Sequence, residues 1–137
     1  MFKLISFDMD WTLAPSKWQM DSEMVELFKK LLSKYKVWII SWWDYKQFQK
    51  QVIPFLGEDE KILSNLYICP TCSTKMFLYK SWIWEKQYSL DFSNEEREKI
   101  IKTLNRAIDE LNLKPSQTWW ELVEDRWTQI TYSALWQ

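Results

Sequence analysis

The sequence predicts an α/β protein in which a partial parallel sheet is followed by an α+β unit. Two observations predict the sheet: apolar runs are separated by an amphipathic segment, and acidic residues follow the first run directly. A strand, a helix and a second strand with short connections form the βαβ unit of a parallel sheet. A change to short alternating segments after about residue 65 predicts a different second half. We therefore expect a core over residues 1–65 and a second domain over residues 66–137.

The elements of the first half follow from apolar patterning. Residues 3–7 form a short apolar run that ends in acids, which indicates a buried strand. A helix is predicted to begin at Asp21 and to extend to about Tyr35. Its apolar face carries Met24, Leu27, Phe28, Leu31 and Leu32. A second buried strand is predicted over residues 37–40, followed by a helix over residues 44–52.

The second half is predicted to mix strands with one long helix. Successive strands of a meander are expected over residues 67–69, 75–79 and 84–88. A capping box from Ser93 to Glu96 begins a helix that extends to about Leu111, before Pro115. A further pair of strands is expected over residues 121–124 and 128–133. This order predicts an α+β unit and no continuation of the parallel sheet.

Composition limits the possible functions of the 137 residues. Hydrophobic residues make up 47% and charged residues 27%, as in a globular domain with a core. A net charge of −1 indicates no basic face, so we expect neither nucleic acid nor an anionic membrane as a partner. No apolar run approaches the roughly 20 residues that span a bilayer. We expect a cytoplasmic protein with reduced cysteines.

The sequence has no histidine, so catalysis by these residues must use other side chains. Ser/His/Asp and Cys/His nucleophile systems and histidine-containing zinc sites are excluded within the chain. Carboxylates, hydroxyls, lysine, arginine and thiols remain as the candidate groups.

Tryptophan stands where glycine is expected. The chain has one glycine and eleven tryptophans, whereas average usage of about 7% predicts roughly ten glycines. Trp11 follows an apolar strand and Asp8-Met9-Asp10, and Trp42 and Trp43 follow an apolar strand and Ser41; both places are strand-to-loop turns, where the backbone often needs positive φ. We hypothesise that a UGA codon read as glycine was translated as tryptophan, at Trp11, Trp18, Trp38, Trp42, Trp43, Trp82, Trp120, Trp127 and Trp136. Trp84 and Trp119 are interpreted as true tryptophans, and the alternative is a chain that is rich in tryptophan throughout.

The segment from Asp8 to Leu13 carries the main indication of function. With glycine at position 11 it is Asp-Met-Asp-Gly-Thr-Leu, which resembles the first motif of the haloacid dehalogenase (HAD) superfamily. The resemblance implies a Rossmann-like core with an aspartyl-phosphate intermediate, with Asp8 as nucleophile and Asp10 as general acid and base. A structural alternative is an acidic pair that caps a turn.

The resemblance also implies a Mg²⁺ cofactor and a phosphate site. The ion would be held at Asp8 and Asp10, by the carboxylate of the first and the backbone carbonyl of the second. The turn at residues 9–12, including Thr12, would bind phosphate through its N–H groups. Ser41, which follows the second strand, resembles the phosphate-binding hydroxyl of the second motif, and its alternative role is a helix N-cap.

The segment over residues 122–137 is similar to the cap of phosphomannomutase-like members, subfamily IIB. This resemblance implies an α+β cap of the C2 type and a sugar-phosphate substrate. Arg126 matches an arginine that binds the substrate in that subfamily. A guanidinium can donate two parallel hydrogen bonds to a phosphate. The alternative for Arg126 is a strand residue paired with Glu124. Gln137 stands where phosphomannomutases carry a second arginine, so hydrolysis is at least as well supported as mutase chemistry.

Two further features lead to alternatives. The superfamily's lysine and its second acidic motif are not found in the sequence, so we expect a truncated chain with little activity alone. A non-catalytic interaction module derived from the fold is therefore the second hypothesis. Cys69 and Cys72 form a lone CxxC, which we interpret as packing residues, and a small metal-binding protein is the third hypothesis.

Overall fold

A computed structural model describes residues 4–118 and 121–134 of the chain. Trp119, Trp120, Trp136 and Gln137, which the sequence analysis singled out, lie outside these ranges. The chain divides into two compact units, residues 1–89 and residues 90–137. Each unit is described separately below.

The first unit is built on one mixed five-stranded sheet in the order β1-β2-β3-β4-β5. The first three strands are parallel, and β4 and β5 add to them as an antiparallel hairpin. The strands are β1 Leu4–Asp8, β2 Lys36–Ile40, β3 Leu66–Cys69, β4 Lys75–Lys80 and β5 Ile83–Ser89.

Short helical segments connect the parallel strands. They are α1 Ser22–Leu32, α2 Tyr45–Gln51, a 3₁₀ turn Ile53–Phe55, α3 Glu60–Leu63 and α4 Pro70–Ser73. Helix α1 begins at Asp21 because the carboxylate of this residue accepts a hydrogen bond of 2.8 Å from the N–H of Met24. The helix buries Val25, Phe28 and Leu32 against the sheet. It ends three residues before Tyr35, where the sequence placed its end.

The core of the first unit lies between this sheet and its helices. Its fully buried side chains come from the inner positions of β2 and β3 and from the helices. They include Val37, Ile39, Phe48, Leu63, Leu66 and Ile68. One face of β2 and of β3 is fully buried and most of the other face is at least half-buried, which agrees with the near-continuous apolar runs of these strands.

The boundary between the two halves differs from the one that the sequence suggested after residue 65. Strand β3 begins at Leu66, pairs parallel with β2 and continues the core sheet, and β4 and β5 pair onto β3. The first compact unit accordingly ends at Ser89. Strand β3 has only four residues, and its direction is set by pairing with β2, which local patterning does not reveal. The assignment of a cap therefore remains a prediction.

The second unit contains one long helix and one antiparallel hairpin. The helix α5 spans Asn94–Glu110, and the hairpin strands are β6 Val123–Asp125 and β7 Ile130–Tyr132. Ile108 on the helix is buried. The predicted helix and the predicted strand pair are both present, with shorter strands than expected.

Helix α5 begins at the predicted capping box. The N–H of Glu96 donates to the Ser93 hydroxyl, and the N–H of Ser93 donates to the Glu96 carboxylate. We expect Ser93→Ala to lower the free energy of unfolding by about 1 kcal/mol at neutral pH, measured by urea denaturation.

The same contacts predict how the cap depends on pH. Hydrogen bonds from Ser93 lower the pKa of Glu96 from its usual value of 4.5, so the carboxylate stabilises the fold above that value. This contribution is lost as the pH falls through the lowered pKa. If urea midpoints respond equally to Ser93→Ala and to Ser116→Ala, an exposed serine beyond the helix, the cap does not stabilise α5.

Within the described ranges, no helix is both long and apolar enough to cross a membrane.

Candidate active site

The ends of the first two strands bring three predicted residues to one edge of the sheet. Asp8 is the last residue of β1 and is in register with Ile40, the last residue of β2. Asp10 and Ser41 follow these strands within two residues. Since carboxyl ends of parallel strands form the ligand-binding edge of open α/β sheets, this edge is the candidate active site.

The two acidic residues have different environments. Asp8 is exposed, and its Oδ1 accepts a hydrogen bond of 2.7 Å from the N–H of Met9. Asp10 is half-buried, and its Oδ2 accepts two hydrogen bonds, from Ser16 Oγ at 3.0 Å and from Trp43 Nε1 at 2.7 Å. The other oxygen, Asp10 Oδ1, is buried and has no hydrogen-bond partner within the described part of the chain. One carboxylate is thus open to solvent, and the other is fixed through a single oxygen.

The turn after Asp10 is closed by its own backbone. The N–H of Trp11 donates to Ala14 at 2.7 Å, and the N–H of Thr12 donates to Met9 at 3.4 Å. These groups are the ones that we expected to cradle a phosphate, so in this conformation they are occupied. The N–H groups of Trp11 and Thr12 bond within the turn because their acceptors are only three residues away in the sequence. Thr12 itself is exposed at this edge, and its role in binding phosphate remains a prediction.

Ser41 lies beside the turn that follows β3. Its side chain is buried, with 3% of its surface exposed, and its hydroxyl accepts a hydrogen bond of 3.3 Å from the N–H of Trp43. The Ser41 N–H donates to Cys69, and the Ser41 carbonyl accepts from the N–H of Cys72. The hydroxyl keeps its proton as a donor, which is what an anionic oxygen requires.

Polar side chains from neighbouring segments surround this edge. Lys75 pairs with Asp44 at 3.0 Å and places a positive charge beside the loop that follows Ser41. Ser16 reaches Asp10 from a loop, and Gln51 holds that loop in place. Gln51 lies three residues after Phe48, on the same buried face of α2. A polar residue at such a position indicates a buried hydrogen bond, but the sequence does not show that its partner is the carbonyl of Trp18.

The CxxC segment forms a turn with unusual backbone geometry. Thr71, Cys72 and Ser73 all have positive φ, from 49° to 66°. Cys69 is buried, and burial raises the pKa of its thiol, which a hydrogen bond with Ser73 partly offsets. Cys72 is exposed. The interpretation as packing residues therefore fits Cys69 but is wrong for Cys72.

Arg126 lies in the second compact unit, in the turn between β6 and β7. Its guanidinium is buried and donates to Glu124 at 2.6 Å and to Gln129 at 3.2 Å. The pairing with Glu124 is the alternative that the sequence analysis named. A role in binding the substrate remains a prediction.

The tryptophans that we hypothesise to be glycines fall into two groups by the sign of their backbone φ. Trp11, Trp82 and Trp127 have φ of 58°, 67° and 69°, in the left-handed region that favours glycine. Trp11 is 81% exposed and Trp82 is 65% exposed, so packing does not account for either indole. The other tryptophans that are both candidates and described do not have positive φ; they are Trp18, Trp38, Trp42 and Trp43.

The residues at this edge fit Mg²⁺ in part. Residues 4–118 and 121–134 contain no group of three or more acidic, cysteine or histidine side chains that could hold a metal ion. Mg²⁺ needs few protein ligands, because it keeps several waters and commonly binds through one or two carboxylates together with substrate phosphate. The open carboxylate of Asp8 meets this smaller requirement, and the backbone carbonyl of Asp10 is the second oxygen that the sequence analysis expects to hold the ion.

Comparison with known proteins identifies the fold. No protein-family model matches the sequence, and no curated protein matches it. A structure of IMP-nucleotidase from Plasmodium falciparum matches 93% of this chain with a TM-score of 0.63 and 18% identity. The ATP-bound form of that protein matches with a TM-score of 0.65 and 17% identity. A haloacid dehalogenase-like hydrolase from Bacteroides thetaiotaomicron matches 82% of the chain, with a TM-score of 0.52 and 17% identity.

These similarities show the fold, at identities too low to show more. The chain has the α/β architecture of HAD-like hydrolases, with a largely parallel sheet and a Rossmann-like core. It spans 38% of the length of the first of these structures, 34% of the second and 39% of the third.

Proposed function

We propose that this chain carries the catalytic carboxylates of a Mg²⁺-dependent phosphoryl-transfer enzyme of the HAD superfamily. The observation that supports this most is the contrast between Asp8 and Asp10 at the end of β1. Asp8 is open to solvent, whereas Asp10 is fixed through Oδ2 and has a buried Oδ1 without a partner. Two carboxylates with unlike environments suit the separate roles of nucleophile and acid–base group.

The proposed reaction has two steps. Oδ2 of Asp8 attacks phosphorus while the bond from phosphorus to the leaving oxygen breaks, and Asp10 gives its proton to that oxygen. In the second step Asp10 takes a proton from water, or from a substrate hydroxyl, which attacks the aspartyl-phosphate and frees Asp8. The Met9 N–H holds Oδ1 of Asp8, which leaves Oδ2 as the attacking atom.

Two hydroxyl groups near these carboxylates would bind the phosphate, and the two acidic residues would hold the ion. The buried Ser41 hydroxyl and the exposed Thr12 would bind phosphate oxygens, and Asp8 and Asp10 would hold Mg²⁺. When bound, the ion neutralises negative charge on the transferring group. The Lys75–Asp44 pair keeps a positive charge near the Ser41 loop.

For the substrate we propose a sugar phosphate, as in subfamily IIB phosphomannomutase-like proteins. The support is the sequence similarity over residues 122–137 and the presence of Arg126 in an α+β unit. Hydrolysis and intramolecular phosphoryl transfer both use the chemistry described above. The IMP-nucleotidase similarity comes from the fold, and it makes a nucleoside monophosphate the alternative substrate to include in an assay.

We also propose that tryptophans of this sequence stand for glycines that are encoded by UGA. The positive φ values of Trp11, Trp82 and Trp127 support this, since left-handed backbone costs a residue with a side chain about 1–2 kcal/mol. The codons provide a direct test: UGG at positions 11 and 82 would exclude the proposal.

Dependence on Mg²⁺ tests the proposed chemistry. Turnover should be low, because the superfamily's lysine and second acidic motif are not found in this sequence, but we expect Asp8 still to form an acid-stable phosphoenzyme from p-nitrophenyl phosphate when Mg²⁺ is present. Chelation with EDTA should slow its formation on the order of a hundredfold, because the transferring phosphoryl group then keeps its charge. Intact-protein mass spectrometry after acid quench measures the adduct, and addition of Mg²⁺ after EDTA is the control.

Other outcomes discriminate between the hypotheses. A folded chain that forms no phosphoenzyme with Mg²⁺ contradicts the proposal and favours the non-catalytic interaction module. Zinc that remains bound after purification, and is lost in Cys69→Ser or Cys72→Ser, favours the metal-binding hypothesis.

A further inference from the structure

The segment between Asp10 and helix α1 folds back over the end of β1. The turn N–H of Trp11 donates to Ala14, and Ala14 in turn donates to Met9. These bonds reverse the chain within four residues and bring Ser16 back to Asp10. The result is the 3.0 Å hydrogen bond from Ser16 Oγ to Asp10 Oδ2.

A buried amide fixes the loop that carries Ser16. Gln51, at the end of α2, is 1% exposed. Its Nε2 donates to the carbonyl of Trp18 at 2.7 Å and to the carbonyl of Pro15 at 3.5 Å. The two carbonyls lie on either side of Ser16. The backbone carbonyl of Gln51 also accepts a hydrogen bond of 3.3 Å from the N–H of Met20. Because a buried N–H donor is costly unless it is bonded, the contacts of Nε2 hold the loop in one position.

Both donors to Asp10 bind the same oxygen. Ser16 Oγ and Trp43 Nε1 share Oδ2, and they approach it from different loops. A carboxylate with one oxygen fixed by two donors cannot rotate freely, so Oδ1 keeps one direction. Of the two donors, only Trp43 stands at a position where we propose glycine, and Ser16 does not.

We propose that Ser16 is a positioning residue that orients the Asp10 carboxylate, and that Gln51 holds the loop that presents Ser16. The consequence is that the Asp10 carboxylate keeps one orientation at the end of β1. This inference rests on the proposed function of Asp10 for its catalytic consequence. The orientation itself rests only on the contacts above.

Ser16→Ala removes the hydroxyl donor and tests the proposal in the full chain. With p-nitrophenyl phosphate and Mg²⁺, we expect kcat to fall about tenfold with KM unchanged, because proton transfer by a misoriented group loses part of its usual contribution. Ser16→Thr keeps the hydroxyl and should restore kcat to within about twofold of the original value. Gln51→Met keeps the volume but removes the amide, and it should lower kcat in the same direction as Ser16→Ala.

A second measurement does not require turnover. The carbon-13 resonance of the Asp10 carboxyl carbon should shift in Ser16→Ala and return in Ser16→Thr, while the resonance of Asp59 stays unchanged. Ser33→Ala is the matched control, because the Ser33 hydroxyl bonds the carbonyl of Lys30 at the end of α1. It should change neither kcat nor the Asp10 resonance.

The outcomes separate this inference from the proposed function. An unchanged kcat in Ser16→Ala, or a raised KM with an unchanged kcat, overturns the positioning role. If the chain shows no phosphoryl transfer at all, the proposed function fails. The carbon-13 resonance of the Asp10 carboxyl carbon then tests by itself whether Ser16 orients that carboxylate. A resonance that is the same in the original protein and in Ser16→Ala then overturns the inference.

Discussion

Replacement of Asp8 by asparagine is expected to abolish phosphoenzyme formation. The carboxylate oxygen is the proposed nucleophile, and the neutral amide of asparagine does not attack phosphorus. We expect the rate to fall on the order of 10⁴-fold or more, as when the nucleophile of a catalytic unit is removed. Folding should be unaffected, because Asp8 is exposed and Oδ1 of asparagine can still accept the Met9 N–H. Acid-quenched samples analysed by mass spectrometry give the extent of phosphorylation.

Asp59→Asn is the matched control for this change. Asp59 is exposed and caps α3, on the connection that enters β3 at the opposite edge of the sheet from Asp8. Asparagine is as good an N-cap as aspartate, so stability should be retained. Asp59→Asn should form the phosphoenzyme at the original rate. If Asp8→Asn and Asp59→Asn are phosphorylated alike, Asp8 is not the nucleophile and the proposed mechanism fails.

Glycine at positions 11 and 82 is expected to stabilise the protein. Trp82 follows Ser81 in the two-residue turn between β4 and β5, and both residues have positive φ, as a type I′ turn requires. Relief of left-handed strain is worth about 1–2 kcal/mol per site, and the greater freedom of unfolded glycine offsets about 0.4–1 kcal/mol of it. The net gain is about 0.5–1 kcal/mol per site. Urea denaturation followed by circular dichroism measures the sum in Trp11→Gly/Trp82→Gly.

The same substitution at Trp84 should have the opposite sign. Trp84 lies in β5, is half-buried and packs edge-on against Tyr79, with ring centroids 5.2 Å apart. Its loss should lower the free energy of unfolding by about 2–4 kcal/mol, since packing is removed and glycine weakens a strand. If Trp82→Gly destabilises the chain as Trp84→Gly does, the turn does not need glycine, and the recoding proposal loses its structural support.

Local sequence signals predicted most of the individual elements. The apolar runs at β1 and β2, the Asp21 cap of α1 and the capping box of α5 are all present. Each of these signals operates within a few residues, either as a side chain bonded to a nearby N–H or as a period of apolar positions. The pairing of β3 was not predicted, because the direction of a short strand depends on a neighbour about 30 residues away.

The sequence predicted the site residues that follow strand ends, but not the residues that contact them from other loops. Asp8, Asp10 and Ser41 were expected at one edge because strand ends are visible in the sequence, and the register of β1 with β2 brings them there. Ser16 and Gln51 were missed. They make their contacts with residues 6 and 36 positions away, and such contacts leave no local pattern.

The sequence by itself determined where the strands and helices begin and which acidic residues follow β1, since these depend on interactions between near neighbours. Tertiary structure alone decided which oxygen of Asp10 is bonded, which residue holds the loop of Ser16 and that β3 pairs parallel with β2. Such features depend on the relative positions of segments far apart in the chain, and only packing in three dimensions establishes those positions.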